Sequence, residues 1–287
     1  MRRTLLTAAL AATLAAAPLL APVASEATTK KPLKYVAMGD SYSAASGVLP
    51  LDPTAAPQCL RSTRNYPHLI AASTGATFKD VTCGAADTTD YAGSQYPGVA
   101  PQLNALSKDT QLVTMTIGGN DSSVFINTIL QCGAAGISTA GQGSPCKDRY
   151  GSSFSNTIKN TTYPSIVAAL KAVKAKSPKA RVAILGYPTI MPKSTGCFPQ
   201  MPLATGDVPY VHGIQVTLND AVRRAAAATG STYVDFTKIS AGHDACQAIG
   251  TRWIEPVVAG TNPVIVHPNA LGEQKMAEQA MKVLGLG

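Results

Sequence analysis

The sequence predicts an α/β domain with a central parallel sheet of about five strands and helices on both faces. Three observations lead there. Short apolar runs alternate with helical patterns along the chain, the order that builds parallel sheets. Hydrophobic residues make up 45% and charged residues only 14% of the 287 positions, so one sizeable core can be buried. Glycine turns at Gly39, Gly84 and Gly118-Gly119 each follow an apolar run, as expected where parallel strands hand over to helices.

Taken in order, residues 1–27 read as a secretory signal. Arg2 and Arg3 form its basic start, 5–20 its apolar stretch, and Ala24, Ser25 and Ala27 the small residues of a cleavage site. The apolar stretch is short for a membrane span and has no stop-transfer flank, so cleavage and secretion are expected, leaving one domain over 28–287. Residues 33–38 form a buried strand that stops at Gly39. A helical turn over 43–46 and a proline-rich loop over 48–64 follow. A helix over 66–73 carries Pro67 in its first turn and ends at Gly75. The second strand is 76–82, a short helix spans 100–106, and the third strand, 111–117, runs into Gly118-Gly119-Asn120-Asp121. A helix over 122–131 leads to Cys132, and a Gly/Ser-rich loop continues through Cys146 toward Ser155. Apolar residues Ile158, Ile166, Val167, Leu170 and Val173 mark a long helix over 157–176. The fourth strand is 181–185, and a long loop spans 188–209. A helix over 211–229, a fifth strand over 231–236 and a cysteine loop come next. The last helix, 270–284, has Asn269 as its N-cap.

The formal charge is +8, part of it from Arg2 and Arg3 in the leader. The rest is scattered, with no basic stripe interleaved with aromatics, so nucleic acid is not an expected partner. Such a surface is compatible with attraction to anionic lipid. The even set of cysteines, Cys59, Cys83, Cys132, Cys146, Cys197 and Cys246, implies disulfides in an exported chain. None forms a Cys-x-x-Cys pair or sits at zinc-finger spacing from a histidine, so no metal site is expected. Spacing alone does not choose the pairing. Joining each cysteine to the next is preferred, because each bridge then ties down one long loop.

A serine just past a strand end, on a glycine turn, stands clear of the sheet, where a histidine can take its proton. Serine hydrolysis needs a nucleophile, a base, oxyanion donors and a group that orients the base. Ser41 suits the nucleophile, and its own N–H at a helix start suits an oxyanion donor. The Gly84 turn offers a second backbone donor, Asn120 an amide that donates without titrating, and His267 the base. Singly, each has a plain structural explanation. Asp40 or Ser41 and Asn120 can cap helices, Gly84 can permit a tight turn beside a disulfide, and His267-Pro268 can shape a helix entry. Together they fill every role but the orienter. His68 sits inside a helix, His212 begins one, and His243 adjoins Asp244, an adjacency that does not suit base pairing.

This constellation resembles the SGNH, or GDSL-like, hydrolase family. The matched residues are Gly39-Asp40-Ser41, Gly84, Gly118-Gly119-Asn120-Asp121 and His267-Pro268-Asn269, in the family's order. With the leader and six cysteines, the chain is similar to the secreted actinobacterial lipases and esterases of that family. The resemblance implies a flavodoxin-like three-layer α/β/α fold and disulfides Cys59–Cys83, Cys132–Cys146 and Cys197–Cys246. It implies an ester or lipid substrate and a Ser41-acyl intermediate, with no cofactor. A monomer is expected. Two departures matter. Val264 stands where the family often has Asp, three residues before the histidine. The backbone carbonyl of Val264 or Ile265 is therefore expected to orient His267, with a carboxylate such as Glu255 as the alternative. Related chains also often place the oxyanion glycine where Ala85 stands, so the second donor is the N–H of Gly84 or of Ala85. Leu49, Leu51, Phe125, Ile126, Ile190, Met191, Phe198 and Met201 in the loops suit either an acyl chain or loop core. Lipase or carboxylesterase is the leading reading. Phospholipase, polysaccharide deacetylase and a non-catalytic secreted binding protein on the same fold are the alternatives, with peptidase disfavoured.

Overall fold

The computed structural model describes residues 8, 9 and 31–286. The leader expected over 1–27 lies, apart from residues 8 and 9, outside them. Strand β1 (Lys34–Gly39) leads into a one-turn helix, α1 (Ser41–Ala44). There follow α2 (Tyr66–Thr74), β2 (Thr77–Asp80), β3 (Leu112–Thr116), α3 (Val124–Ser138), α4 (Pro145–Tyr150), α5 (Ser153–Thr157) and α6 (Tyr163–Lys176). The chain closes with β4 (Arg181–Leu185), α7 (Val208–Thr229), β5 (Thr232–Val234) and α8 (Ala270–Leu284).

The five strands form one parallel sheet in the order β2-β1-β3-β4-β5. The three inner strands are buried on both faces apart from their first residues on β1 and β4, which is why β1 and β4 read as apolar runs rather than as alternation, while β3 buries Thr114 and Thr116 among its apolar residues. The edge strands β2 and β5 are shorter and partly exposed. Helix α2 packs with α8, and α6 packs with α7. The β1–α2–β2 connection runs opposite in direction to β3–α6–β4 and β4–α7–β5, so right-handed crossovers put the two helix pairs on opposite faces. The direction of winding reverses between β1 and β3, and the crevice beyond their carboxyl ends is where such sheets bind ligands.

The two turns at that crevice both require glycine. Gly39 has φ +116°, and a Cβ there would collide with the Thr116 carbonyl. Gly118 has φ +110°, and a Cβ there would come within 2.6 Å of Ile166. The disulfides Cys59–Cys83, Cys132–Cys146 and Cys197–Cys246 are formed.

Three local differences from the expected elements have physical causes. The first helix begins at Ser41 rather than at 43, because Asp40 Oδ1 accepts the Tyr42 N–H at 3.0 Å and caps it. The stretch expected as loop through Cys146 to Ser155 holds α4 and α5. The α4 start is capped from far away in sequence, the Asp207 carboxylate accepting the N–H groups of Cys146 (2.9 Å) and Lys147 (2.8 Å). The helix expected over 157–176 is interrupted by a π turn, Ile158–Thr162, just before Pro164. Proline has no N–H for the carbonyl four residues back, and the wider turn absorbs the misfit.

Candidate active site

The turn after β1 is held on every side. Gly39 donates its N–H to Gln102 Oε1 (2.7 Å) and accepts from Gln102 Nε2 (3.0 Å). Asp40 donates its N–H to the Thr116 carbonyl at 3.0 Å, joining the turn to the end of β3. The buried Asp40 carboxylate accepts from Thr116 Oγ1 (2.6 Å) and from the Tyr187 hydroxyl. Tyr187 OH in turn accepts the Gly119 N–H at 2.9 Å. One carboxylate and one phenol therefore fix the β1 turn against the Gly118-Gly119-Asn120 turn. Burial pushes the Asp40 carboxyl's pKa upward, and these hydrogen bonds oppose the shift. Sequence reasoning missed Tyr187. The signal available was a fourth strand-end turn, Gly186-Tyr187-Pro188, with a polar-tipped aromatic at the edge where the other turns gather.

At the mouth of this frame, Ser41 Oγ lies 2.7 Å from His267 Nε2, although the two residues are 226 apart in sequence. His267 Nδ1 lies 2.7 Å from the Ile265 carbonyl. A carbonyl only accepts, so Nδ1 carries the proton, and Nε2 is left as the acceptor for the Ser41 hydroxyl. Of the two carbonyls expected as orienter, the one in contact is that of Ile265. The alternative, Glu255, does not reach the ring. Its carboxylate accepts from Arg252 Nη2 (2.6 Å), the Thr261 N–H (2.7 Å) and Asn269 Nδ2 (2.8 Å). Its main chain braces the base segment, accepting the Val266 N–H at 3.1 Å and donating to the His267 carbonyl at 2.9 Å.

Burial lowers the His267 pKa from the ordinary 6.5 to about 4, with the Ile265 carbonyl opposing the drop. The imidazole is thus neutral, and able to accept a proton, at any pH well above 4. For an imidazole that acts as a general base, kcat/KM reports this ionisation. It is expected to stay level from neutral pH down through 6.5 and to fall only as pH approaches about 4. An acid limb centred on the ordinary histidine value would show that a carboxylate or bulk water reaches the ring.

Donors face the same cleft. Ser41 is the first residue of α1, so its N–H has no intrahelical partner. Asn120 Nδ2 gives one of its two hydrogens to the Ala86 carbonyl at 2.9 Å, leaving the other free. The expected donor Gly84 needs correction. Its N–H is engaged by the Cys59 carbonyl at 2.8 Å, a contact that the Cys59–Cys83 bridge brings about. The next residue, Ala85, has φ +63°, and its N–H makes no hydrogen bond among the described residues. Gln95 Nε2 holds the Gly84 carbonyl at 2.7 Å, which fixes the peptide that carries the Ala85 N–H.

The cleft has a volume of about 520 Å³ and is lined by Ser41, Ser46, Leu60, Gly84, Ala85, Asn120, Phe125, Ile126, Val264 and His267, among others. Phe125 also borders an apolar hollow formed by Val124, Ile129, Tyr187, Ile190, Ile214 and Leu218. Of the loop residues that suited an acyl chain, Phe125 and Ile126 line the cleft and Ile190 lines the hollow. Met191 and Met201 are core, and Leu49, Leu51 and Phe198 are exposed. The other histidines are engaged elsewhere: His68 with Asn65, His212 with the Met191 carbonyl, and His243 with the Thr251 carbonyl and stacked on Trp253. A hydroxyl beside a neutral imidazole, with N–H donors converging on the same space, is equipped for acyl transfer.

Comparison with known proteins gives one consistent answer. The model of the GDSL-like lipase/acylhydrolase family matches residues 37–275. Lipase 2 of Streptomyces coelicolor is 62% identical over 265 residues, covering 92% of this chain and 90% of its own. The crystal structure of an extracellular lipase from Streptomyces rimosus superposes with a TM-score of 0.72 at 30% identity, covering 88% of this chain and 98% of that one. A phospholipase A1 from Streptomyces albidoflavus superposes with a TM-score of 0.70 at 30% identity, covering 88% and 97%.

Proposed function

We propose, from the premise that the chain belongs to the GDSL-like lipase/acylhydrolase family and is a carboxylic ester hydrolase, that Ser41 is its nucleophile and His267 its base. The observation that carries the assignment is the 2.7 Å contact of Ser41 Oγ with His267 Nε2, on a ring whose Nδ1 is tied to a carbonyl. Ser41 Oγ attacks the ester carbonyl carbon as its proton passes to Nε2. The carbonyl oxygen becomes an oxyanion, held by the Ser41 N–H, the Ala85 N–H and Asn120 Nδ2. The imidazolium then protonates the leaving alcohol, and Ser41 is left acylated. Water enters and attacks the acyl carbon as it gives a proton to the same nitrogen; the bond from that carbon to Ser41 Oγ then breaks, Oγ takes the proton back from the imidazolium, and the acid leaves. No cofactor or metal takes part in this scheme.

The substrate we infer is a lipid ester, cleaved at a lipid surface by a monomer. In support, Leu60 and Ile126 at the cleft and Leu49 nearby in sequence are exposed apolar side chains, and the named relatives include lipases. A phospholipid is the second reading, favoured by the likeness to the phospholipase A1. We also infer that residues 1–27 are a leader removed on secretion, in keeping with the extracellular lipase among the matched structures.

Expression of the full chain in a bacterial secretion host tests these readings together. The product is expected in the medium, starting near Thr28, and labelled at Ser41 by a fluorophosphonate. Its hydrolysis of p-nitrophenyl esters is expected to rise from acetate to longer acyl chains. Activity confined to acetate would move the reading to a polysaccharide deacetylase, and preference for phosphatidylcholine over triacylglycerol would move it to phospholipase. A chain that takes no label would remove the assignment of Ser41 as nucleophile.

A further inference from the structure

We propose that Tyr42, the residue next to the nucleophile, is a positioning residue for the base. Its hydroxyl holds the Val266 main chain in the one conformation that keeps the Ile265 carbonyl on His267 Nδ1. The proposal rests on the assignment of Ser41 and His267 above.

The starting observation is backbone strain at the base. Val266 has φ +58°, in the left-handed region that a β-branched residue adopts least readily. This torsion has a direct chemical consequence. The Ile265 carbonyl belongs to the peptide plane between residues 265 and 266, and φ at Val266 sets how that plane is turned. Relaxation of Val266 to an ordinary negative φ would rotate the plane and carry the carbonyl away from Nδ1. The imidazole would then lose the one group that fixes its tautomer and orientation, because no carboxylate takes that place.

Two hydrogen bonds hold the strained residue. The Val266 N–H donates to the Glu255 carbonyl at 3.1 Å. The Val266 carbonyl accepts the Tyr42 hydroxyl at 2.7 Å, across 224 residues of sequence and with both groups buried. That carbonyl is the only hydrogen-bond partner of the Tyr42 hydroxyl among the described residues. The phenol ring is itself fixed, edge-on to Tyr187 at 5.1 Å and beside the His267 ring at 5.2 Å. A second tie joins the same two segments, Asn262 Nδ2 donating to the carbonyls of Ser46 (3.0 Å) and Pro268 (3.2 Å). The short turn that carries the nucleophile thus also carries the clamp on the base.

Tyr42→Phe keeps the ring and removes the hydroxyl. We expect kcat toward a p-nitrophenyl ester to fall about 10–10²-fold with KM unchanged, the size of effect a small misplacement of a catalytic group produces. In ¹⁵N-histidine-labelled protein, the downfield His267 Nδ1–H resonance, assigned by its absence in His267→Ala, is expected to vanish or shift upfield. A Tyr42→Phe enzyme with wild-type kcat and an unmoved resonance overturns the proposal. The unmutated chain provides a measurement that needs no Tyr42 variant to fold: its His267 Nδ1–H is expected to exchange slowly with solvent, and free exchange overturns the proposal as well. The resonance does not depend on turnover, so it tests the clamp separately from the nucleophile. Absence of fluorophosphonate label on the unmutated chain would remove the assignment of Ser41 instead.

Discussion

Ser41→Ala and His267→Ala are each expected to lower kcat by about 10⁴–10⁶, and the double variant by hardly more than either alone. The two side chains act as one unit. Without the hydroxyl there is nothing for His267 to activate, and without the imidazole the hydroxyl keeps its proton. What survives is the contribution of the oxyanion donors and of substrate binding, still well above the uncatalysed rate. Ser41 is small and nearly buried at the head of α1, where alanine fits the same helical turn, so the thermal midpoint of Ser41→Ala should stay close to that of the unmutated protein. Hydrolysis of a p-nitrophenyl ester by purified variants checks the prediction. A Ser41→Ala protein that kept activity within tenfold of the original would move the nucleophile elsewhere.

Asn120→Ala is expected to cost about 10²–10³ in kcat with little change in KM, as for removal of one oxyanion donor elsewhere. The asymmetry follows from where the charge appears. The ground-state carbonyl oxygen is nearly neutral, and the amide hydrogen matters most when that oxygen becomes an anion. Part of the loss in Asn120→Ala can arise indirectly, because Nδ2 also holds the Ala86 carbonyl beside the Ala85 donor. Asn120→Asp removes both donations, because a carboxylate only accepts. It keeps the shape but replaces a donor with an ionised acceptor facing the developing charge, and it should be at least as damaging as alanine. An aspartate variant faster than the alanine variant would overturn the assignment of Asn120 as an oxyanion donor.

The frame of the domain was legible because buried parallel strands and the turns that end them leave plain marks. Apolar runs marked β1 and β4, the apolar residues Leu112, Val113 and Met115 marked β3, and the glycines at 39 and 118 marked turns where a side chain does not fit. Ser41 and Asn120 could be picked out because strand-end turns of such a sheet meet along one edge, and His267 because the other histidines sat in or beside helices or next to Asp244. What stayed hidden depends on contacts between distant segments. Whether Gly84 or Ala85 offers a free N–H is decided by the Cys59 carbonyl, which lies far back in the sequence, beside the Cys59–Cys83 disulfide. The start of α4 is decided by Asp207, some 60 residues later. The choice of Ile265 over Val264 depends on a left-handed valine, and nothing in a Val-Ile-Val-His run announces that torsion. The strand-end turn at Gly186-Tyr187-Pro188 placed Tyr187 at that edge, but its partner, Asp40, lies 147 residues away.

The contact between His267 and the Ile265 carbonyl also bears on how this hydrolase can vary over time. A carboxylate orienter is a single codon, lost by a single change. A peptide carbonyl is present whatever residue stands at 265, so that position is free to drift while the acceptor persists. An alanine scan across 264 and 265 would find no third member of the machinery. The fragile element is instead the torsion at 266. A proline there, locked near φ −65°, would turn the acceptor away without touching any side chain that performs the chemistry.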